Sequence, residues 1–219
     1  DDRFELHAQP IMHASADAQH GGPGLEILLR LKDDKGVSIA PAEFMRAAER
    51  YRLMPHVDRW VVQTSLTLLA RGAIRLASDR SLCINLSGQT LGEEGISYIS
   101  TGGGAFLEFV VDCLDRTGVA PNRVCFEVTE NSVITNSEHA RRFIGVLHGM
   151  GCLFALDEFG RGLISFANLK HLSLDYLKID GSFIRNLASD NVNQAMVTAM
   201  VKLARSLNFK VIAEQVEDL

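Results

Sequence analysis

Apolar and polar residues along the 219-residue chain fall into short blocks that alternate between two periods. Leu25-Glu26-Ile27-Leu28-Leu29-Arg30-Leu31 is apolar at nearly every position, the pattern of a strand covered on both faces. Ser81 to Ser87, Val124 to Glu130, Leu153 to Phe159, Tyr176 to Asp180 and Lys210 to Glu217 read as further strands, and Phe4 to Met12 as the first. Between them lie helical patterns. Pro41 to Arg50 opens on a proline and aligns Phe44, Ala47 and Ala48 on one face. Val57 to Ala70, Phe106 to Arg116, Ser137 to His148 and Asn193 to Leu207 follow, with a short turn over Phe166 to Leu172. His13 to Gly24 and Lys32 to Gly36 are polar and read as loops.

Strand, loop and helix in repetition predict an α/β fold with a mainly parallel sheet. Polar residues close strand after strand at the C-terminal end: Asn85, Glu127, Asp157, Lys178 and Glu214. A (β/α)8 barrel gathers its functional groups at that face, whereas an open doubly wound sheet concentrates them at a switch point. The spread over five strands favours the barrel.

Composition narrows the class. Hydrophobic residues make up 47% and charged residues 22%, ordinary for a globular domain. The net charge of -5 argues against non-specific binding of long nucleic acid. No apolar run reaches the ~20 residues of a membrane span, and the opening Asp1-Asp2-Arg3 reads as an excised domain rather than a leader. Cys83, Cys113, Cys125 and Cys152 show no CxxC spacing. Three of them, Cys83, Cys125 and Cys152, lie in apolar runs, the usage of a reducing cytoplasm.

The candidate chemistry centres on Leu153 to Gly162. A buried strand ends there in the adjacent acids Asp157 and Glu158 and opens into a loop with Gly160 and Gly162. Two carboxylates held side by side repel, and a cation is the natural reason to keep them together. Glu26 and Arg30, four apart on a strand, face the same side and so both point inward. Each feature also has a structural reading: an ion pair for Glu26 and Arg30, solvated strand-end charges for Glu127 and Glu130, a cap for Asn85 or Asp180, a turn for Asp157-Glu158. The residues alone leave these open.

Glu26-Ile27-Leu28-Leu29-Arg30, Asn85-Leu86-Ser87, Phe126-Glu127-Val128-Thr129-Glu130, Asp157-Glu158-Phe159-Gly160, Leu177-Lys178-Ile179-Asp180 and Ala213-Glu214-Gln215-Val216-Glu217 stand in the order and rough spacing of the EAL-domain phosphodiesterases. The chain resembles that bacterial family from about Phe4 to Leu219. The resemblance implies one domain over 1–219, a modified (β/α)8 TIM-type barrel with one antiparallel strand, and hydrolysis of cyclic di-GMP to the linear dinucleotide. It implies that Glu26, Asn85, Glu127 and Asp157 hold a first divalent metal and that Asp157 with Glu158 reaches a second. It further implies that Lys178 positions or deprotonates the attacking water, that Glu214 belongs to the metal site, and that Glu130 anchors the loop after Asp157. Arg30 is expected to meet the substrate phosphate, with Gln9 and Leu28 lining the nucleotide pocket. Two Mg²⁺ or Mn²⁺ ions suit all-oxygen ligands, and a pair of such ions generates the nucleophile and offsets phosphate charge. Among metals, Lys178 is expected to titrate low and accept a proton. A homodimer and a sensory or GGDEF module elsewhere in the full-length protein are the implied partners, with no membrane contact by this domain.

The chain departs from the family in places. Glu158 stands where aspartate is usual, Ile27 where alanine is, and Gln215 where glycine is. The loop after Gly160 carries Arg161 and other bulkier residues. The family's eighth strand is expected to be missing after Leu219. Residues 96–105 read as a glycine-rich insertion resembling the nucleotide-binding segment of phosphoglycerate kinase, with no other kinase motif beside it. Glu158 and the missing strand support an alternative: a catalytically degenerate domain that acts as a cyclic di-GMP receptor or a protein-interaction module.

Overall fold

The computed structural model describes residues 3–14, 21–92, 106–162, 164 and 166–217; the glycine-rich insertion at 96–105 lies outside them. The strands are β1 (Phe4–Pro10), β2 (Gly22–Lys32), β3 (Ser38–Ile39), β4 (Arg80–Leu86), β5 (Val124–Thr129), β6 (Leu153–Phe159), β7 (Tyr176–Ile179) and β8 (Lys210–Ala213). The helices are α1 (Pro41–Arg50), α2 (Met54–Ala70), α3 (Gly88–Gly92), α4 (Phe106–Thr117), α5 (Glu130–Thr135), α6 (Ser137–Gly149), α7 (Phe166–Leu169), α8 (Gly181–Ile184) and α9 (Asn191–Ser206).

All eight strands form one mixed sheet in the order β1-β2-β4-β5-β6-β7-β8, with β3 attached to β2. The pair β1–β2 is antiparallel, and every step from β2 to β8 is parallel. Among the described residues β8 pairs with β7 alone, so no ladder closes the ring that a (β/α)8 barrel requires. The sheet nevertheless curls. Ile11, just past β1, and Ile212 on β8 both pack against one inner cluster of Cys83, Cys125, Ala155 and Tyr176.

Period-2 alternation decides which side chains go where. On β4, Leu82, Ile84 and Leu86 join the helix-covered outer core, while Cys83 turns to the inner cluster. On β5 and β6, Phe126 and Phe154 are fully buried with ring centroids 5.7 Å apart, and Phe143 of α6 closes on both. Burying each such ring contributes about 1.5–3 kcal/mol, and Phe154→Ala would cost about 3–5 kcal/mol through the cavity it leaves. All four cysteines are free and buried, Cys113 among them.

Three short helices and one strand lie outside the sequence reading. The two-residue β3 folds back on β2 through a turn in which Asp33 Oδ1 accepts from the N–H groups of Lys35 and Val37. Helices α5 and α8 start directly at strand ends, capped by Thr129 and Asp180, whose side chains accept from Ser132 N and Ser182 N. Glu130 is therefore the first residue of a helix, not the end of a strand. The last strand stops at Ala213 rather than Glu217, because Gln215 takes a left-handed φ of 51° that breaks extended pairing.

Candidate active site

The inner face of the parallel strands carries small or apolar residues at the floor and charged ones above them. One step toward the C-terminal end from Cys83, Cys125, Ala155 and Tyr176 lie Asn85, Glu127, Asp157 and Lys178. The register sets Asn85 beside Glu127, and Glu26 of the neighbouring β2 beside Cys83. Glu214 follows β8 directly, its N–H held by the carbonyl of Ile179.

Lys178 Nζ sits at the centre. It lies 2.7 Å from Glu127 Oε2, 3.0 Å from Glu214 Oε1, 3.2 Å from Glu26 Oε2 and 3.4 Å from Asp157 Oδ2. Asn85 Nδ2 donates to Glu26 Oε1 at 3.0 Å. The Lys178 side chain is 2% exposed and Glu127 fully buried. Four carboxylates around one ammonium leave negative charge in excess. The proton distribution reflects it. Burial pushes the Glu127 carboxyl up to about 7, against the pull of Lys178. Glu214 is raised as well, by burial and by Asp157 beside it. For Lys178, burial acts to lower the pKa, but Glu127, Asp157, Glu26 and Glu214 outweigh it and hold the amine charged. In this metal-free carboxylate cage Lys178 is a cationic donor; the low-titrating lysine expected from sequence belongs to a site filled with metal.

Among the described residues no three Asp, Glu, His or Cys side chains are set out as a preformed metal site, since the ammonium takes the place between them. The residues still fit a divalent cation. Glu127 Oε1 is buried with no hydrogen-bond partner, an acceptor that costs free energy unless something binds it. The surrounding donors are carboxylates and one amide, the oxygen set that Mg²⁺ and Mn²⁺ take.

Glu158 is placed differently from the other candidate ligands. Its φ of 54° is left-handed, a strain of about 1 kcal/mol for a side chain of this kind. Its carboxylate is not among the four that meet Lys178 and instead meets Arg161, whose Nη1 lies 3.8 Å from Glu158 Oε1 and 3.7 Å from Asp180 Oδ2. Glu130 sits beneath the same loop. Its Oε2 accepts from Gly160 N at 3.1 Å and Gly162 N at 3.0 Å, and its Oε1 accepts from Ile164 N at 2.7 Å. A Cβ on Gly162 would stand 2.7 Å from Glu130 Cδ, so only glycine lets the loop come this close.

Of the pocket candidates, Gln9 pairs in register with Glu26 and is exposed. Leu28 and Arg30 share the face of Glu26 and are half-buried, with Arg30 Nη1 donating to Leu29 O at 2.9 Å. Asp58 escaped the sequence reading. From α2 its Oδ2 accepts from Ser87 N and Thr90 Oγ1, at 2.9 and 2.6 Å, and so clamps the turn after Asn85. Its signal was there: an acid on the face of α2 shared by Met54, Val61, Val62 and Ser65, all buried. Two cavities of about 280 and 600 Å³, one beside Gln63 and Cys113 and one beside Leu69 and Arg123, contain none of these residues.

Comparison with known proteins gives the arrangement its relatives. The chain is 34% identical to the cyclic di-GMP phosphodiesterase PdeB of Shewanella oneidensis over 213 residues, covering 97% of this chain and 23% of PdeB. It is also 34% identical to the cyclic di-GMP phosphodiesterase PdeF of Escherichia coli, covering 98% of this chain and 27% of PdeF. The chain thus spans about a quarter of the length of these relatives. Among solved structures, the MucR phosphodiesterase in complex with c-di-GMP superposes with a TM-score of 0.85 at 29% identity, covering 99% of this chain and 83% of that one. The FimX EAL domain of Pseudomonas aeruginosa bound to c-di-GMP gives 0.83 at 28% identity, with 99% and 81% covered. The EAL domain profile matches residues 1–219. With the mixed sheet, its antiparallel first pair and this match over the whole length, the chain belongs to the EAL domain family, that of the cyclic di-GMP phosphodiesterases.

Proposed function

We propose that this domain is a metal-dependent phosphodiesterase that hydrolyses cyclic di-GMP to the linear dinucleotide. The observation that carries the reading is the convergence of Glu26, Glu127, Asp157 and Glu214 on Lys178, with Glu127 Oε1 left unpartnered. Glu26, Asn85, Glu127 and Asp157 would hold a first Mg²⁺ or Mn²⁺, and Asp157 with Glu158 a second. When bound, such ions supply a water acidic enough to attack at neutral pH and neutralise charge on the phosphate. The chain's own groups do the rest. Lys178 donates to the carboxylates and keeps their oxygens on one centre. Beside the ions it would position the attacking water or take its proton. Arg30 offers positive charge to a phosphate, and Leu28 and Gln9 stand beside it for the nucleotide. Glu130 holds the loop after Asp157 through three backbone N–H groups.

Relatives with solved c-di-GMP complexes support the ligand. MucR of Pseudomonas aeruginosa, a bifunctional diguanylate cyclase/cyclic di-GMP phosphodiesterase 31% identical to this chain, supports a GGDEF or sensory module in the whole protein. A cytoplasmic location and a homodimer complete the reading. Among the described residues no helix is long and apolar enough to cross a membrane.

Incubation with cyclic di-GMP and Mg²⁺ or Mn²⁺, followed by chromatography, tests the proposal. Linear dinucleotide is the expected product, and Glu26→Ala or Asp157→Ala should abolish it with the fold intact. One observation favours a second reading, a receptor that binds without cleaving: the carboxylate of Glu158 is engaged by Arg161. Saturable binding with no product over hours would establish that reading instead, and no binding with or without metal would point to a protein-interaction module.

A further inference from the structure

Arg161 joins two anions on different elements. Its Nη1 lies 3.8 Å from Glu158 Oε1 at the end of β6 and 3.7 Å from Asp180 Oδ2 at the cap of α8. Asp180 is a fixed post, since its side chain is buried and its Oδ1 accepts from Ser182 N at 2.9 Å. Glu158 is the movable partner, with a side chain 41% exposed, next to Asp157 but outside the Lys178 cluster. The backbone at Glu158 is left-handed, with φ 54°. The loop itself is pinned, so Arg161 cannot drift far: the residues on either side, Gly160 and Gly162, both donate to Glu130.

We propose that Arg161 is a built-in competitor for the second divalent cation and so sets the cation concentration at which that site fills. The inference rests on the metal-dependent reading above. Glu158 has one carboxylate, which can meet the guanidinium or an ion shared with Asp157. Recruiting it to the ion frees Arg161 from Glu158 and leaves a positive charge near the incoming cation. Both effects oppose filling. Ion pairs this exposed shift an equilibrium only about two- to fivefold, and the adjacent like charge adds to that, so the combined handicap is about tenfold. That is weak enough for cellular metal to overcome and strong enough to separate two binding steps. Arg161 is a positioning residue here, acting through Glu158.

Mn²⁺ titration by calorimetry, paired with electron paramagnetic resonance, reads this without turnover. In the wild-type domain the first Mn²⁺ should bind tightly and the second about tenfold or more weaker, with the signal of spin-coupled Mn²⁺ pairs arising only at the second step. Arg161→Ala should tighten the second step about tenfold and leave the first unchanged. Arg161→Lys, which keeps the charge, should stay within about threefold of wild type. Glu158→Gln should remove the coupled signal in either background. An unchanged second step in Arg161→Ala overturns the proposal while leaving the two-metal reading intact. Absence of tight Mn²⁺ binding in every variant overturns both.

Discussion

Glu127 Oε2 accepts from Lys178 Nζ at 2.7 Å in a setting where both side chains are buried. Neither group is at ease there alone. The carboxyl is pushed up by burial, and the amine stays charged only because Glu127 and three further carboxylates surround it.

Replacing the lysine removes the one cation at the centre. Lys178→Met should destabilise the metal-free domain by about 3–5 kcal/mol, the usual result of leaving buried charge unpaired. Urea denaturation in the presence of a chelator measures it, and Mn²⁺ should restore part of the loss. A variant as stable as wild type in chelator would show that the carboxylates do not depend on the ammonium.

Glu130 makes a different kind of prediction. Its carboxylate gathers three N–H groups from one loop. Glu130→Ala should cost about 1–3 kcal/mol, and the amides of Gly160, Gly162 and Ile164 should lose hydrogen-exchange protection ahead of the rest of β6. Uniform loss across the sheet would indicate global rather than local loosening.

Gly160 is held at φ 102°, and a Cβ there would meet Met200 Cε at 2.6 Å and Phe183 Cε2 at 2.7 Å. Gly160→Ala should lower stability by about 1–3 kcal/mol through backbone strain and overpacking together. Thermal unfolding at fixed pH reads it, and an unchanged midpoint would mean that α8 and α9 yield to the added methyl.

Much of this was visible in the chain. Alternation fixes the two faces of β4 to β7, and with them the side on which Asn85, Glu127, Asp157 and Lys178 lie. What stayed hidden depends on short elements or long reach. Two residues of β3 carry no periodicity. Helices α5 and α8 are a turn or so long and are set by the caps Thr129 and Asp180 rather than by an apolar stripe. The contact between Glu130 and Gly160 spans thirty residues of sequence and follows from how β5 and β6 pack side by side; the family resemblance pointed to it, whereas the residues alone left Glu130 as a possible solvated strand-end charge. The left-handed φ of Glu158 is a backbone conformation that its residue type disfavours, so nothing in the sequence announces it.

Asp58 supplies a pH prediction. Burial raises its carboxyl pKa, only partly offset by bonds from Thr90 and Ser87. The folded state therefore prefers the protonated acid. The stability this confers is present below the unfolded pKa and is lost as pH rises through the raised folded value. Asp58→Asn keeps an oxygen acceptor for Ser87 N and Thr90 Oγ1 and never ionises. Between pH 4 and pH 8 the wild type should lose ground to this variant, seen as a growing gap in thermal midpoint. A gap independent of pH would mean that Asp58 folds already ionised.

Glu127 closes the inner row of β5, and Glu130, three residues on, begins the helix that Thr129 caps. One side chain faces the carboxylate cage and the other fastens the Gly160 loop, yet both ride on a single stiff joint. A cation that shifts Glu127 therefore acts three residues from the anchor of the loop, and filling the cage with Mn²⁺ should change hydrogen exchange at Gly160 and Gly162. Unaltered exchange at those two amides on metal addition would show that cage and loop act separately.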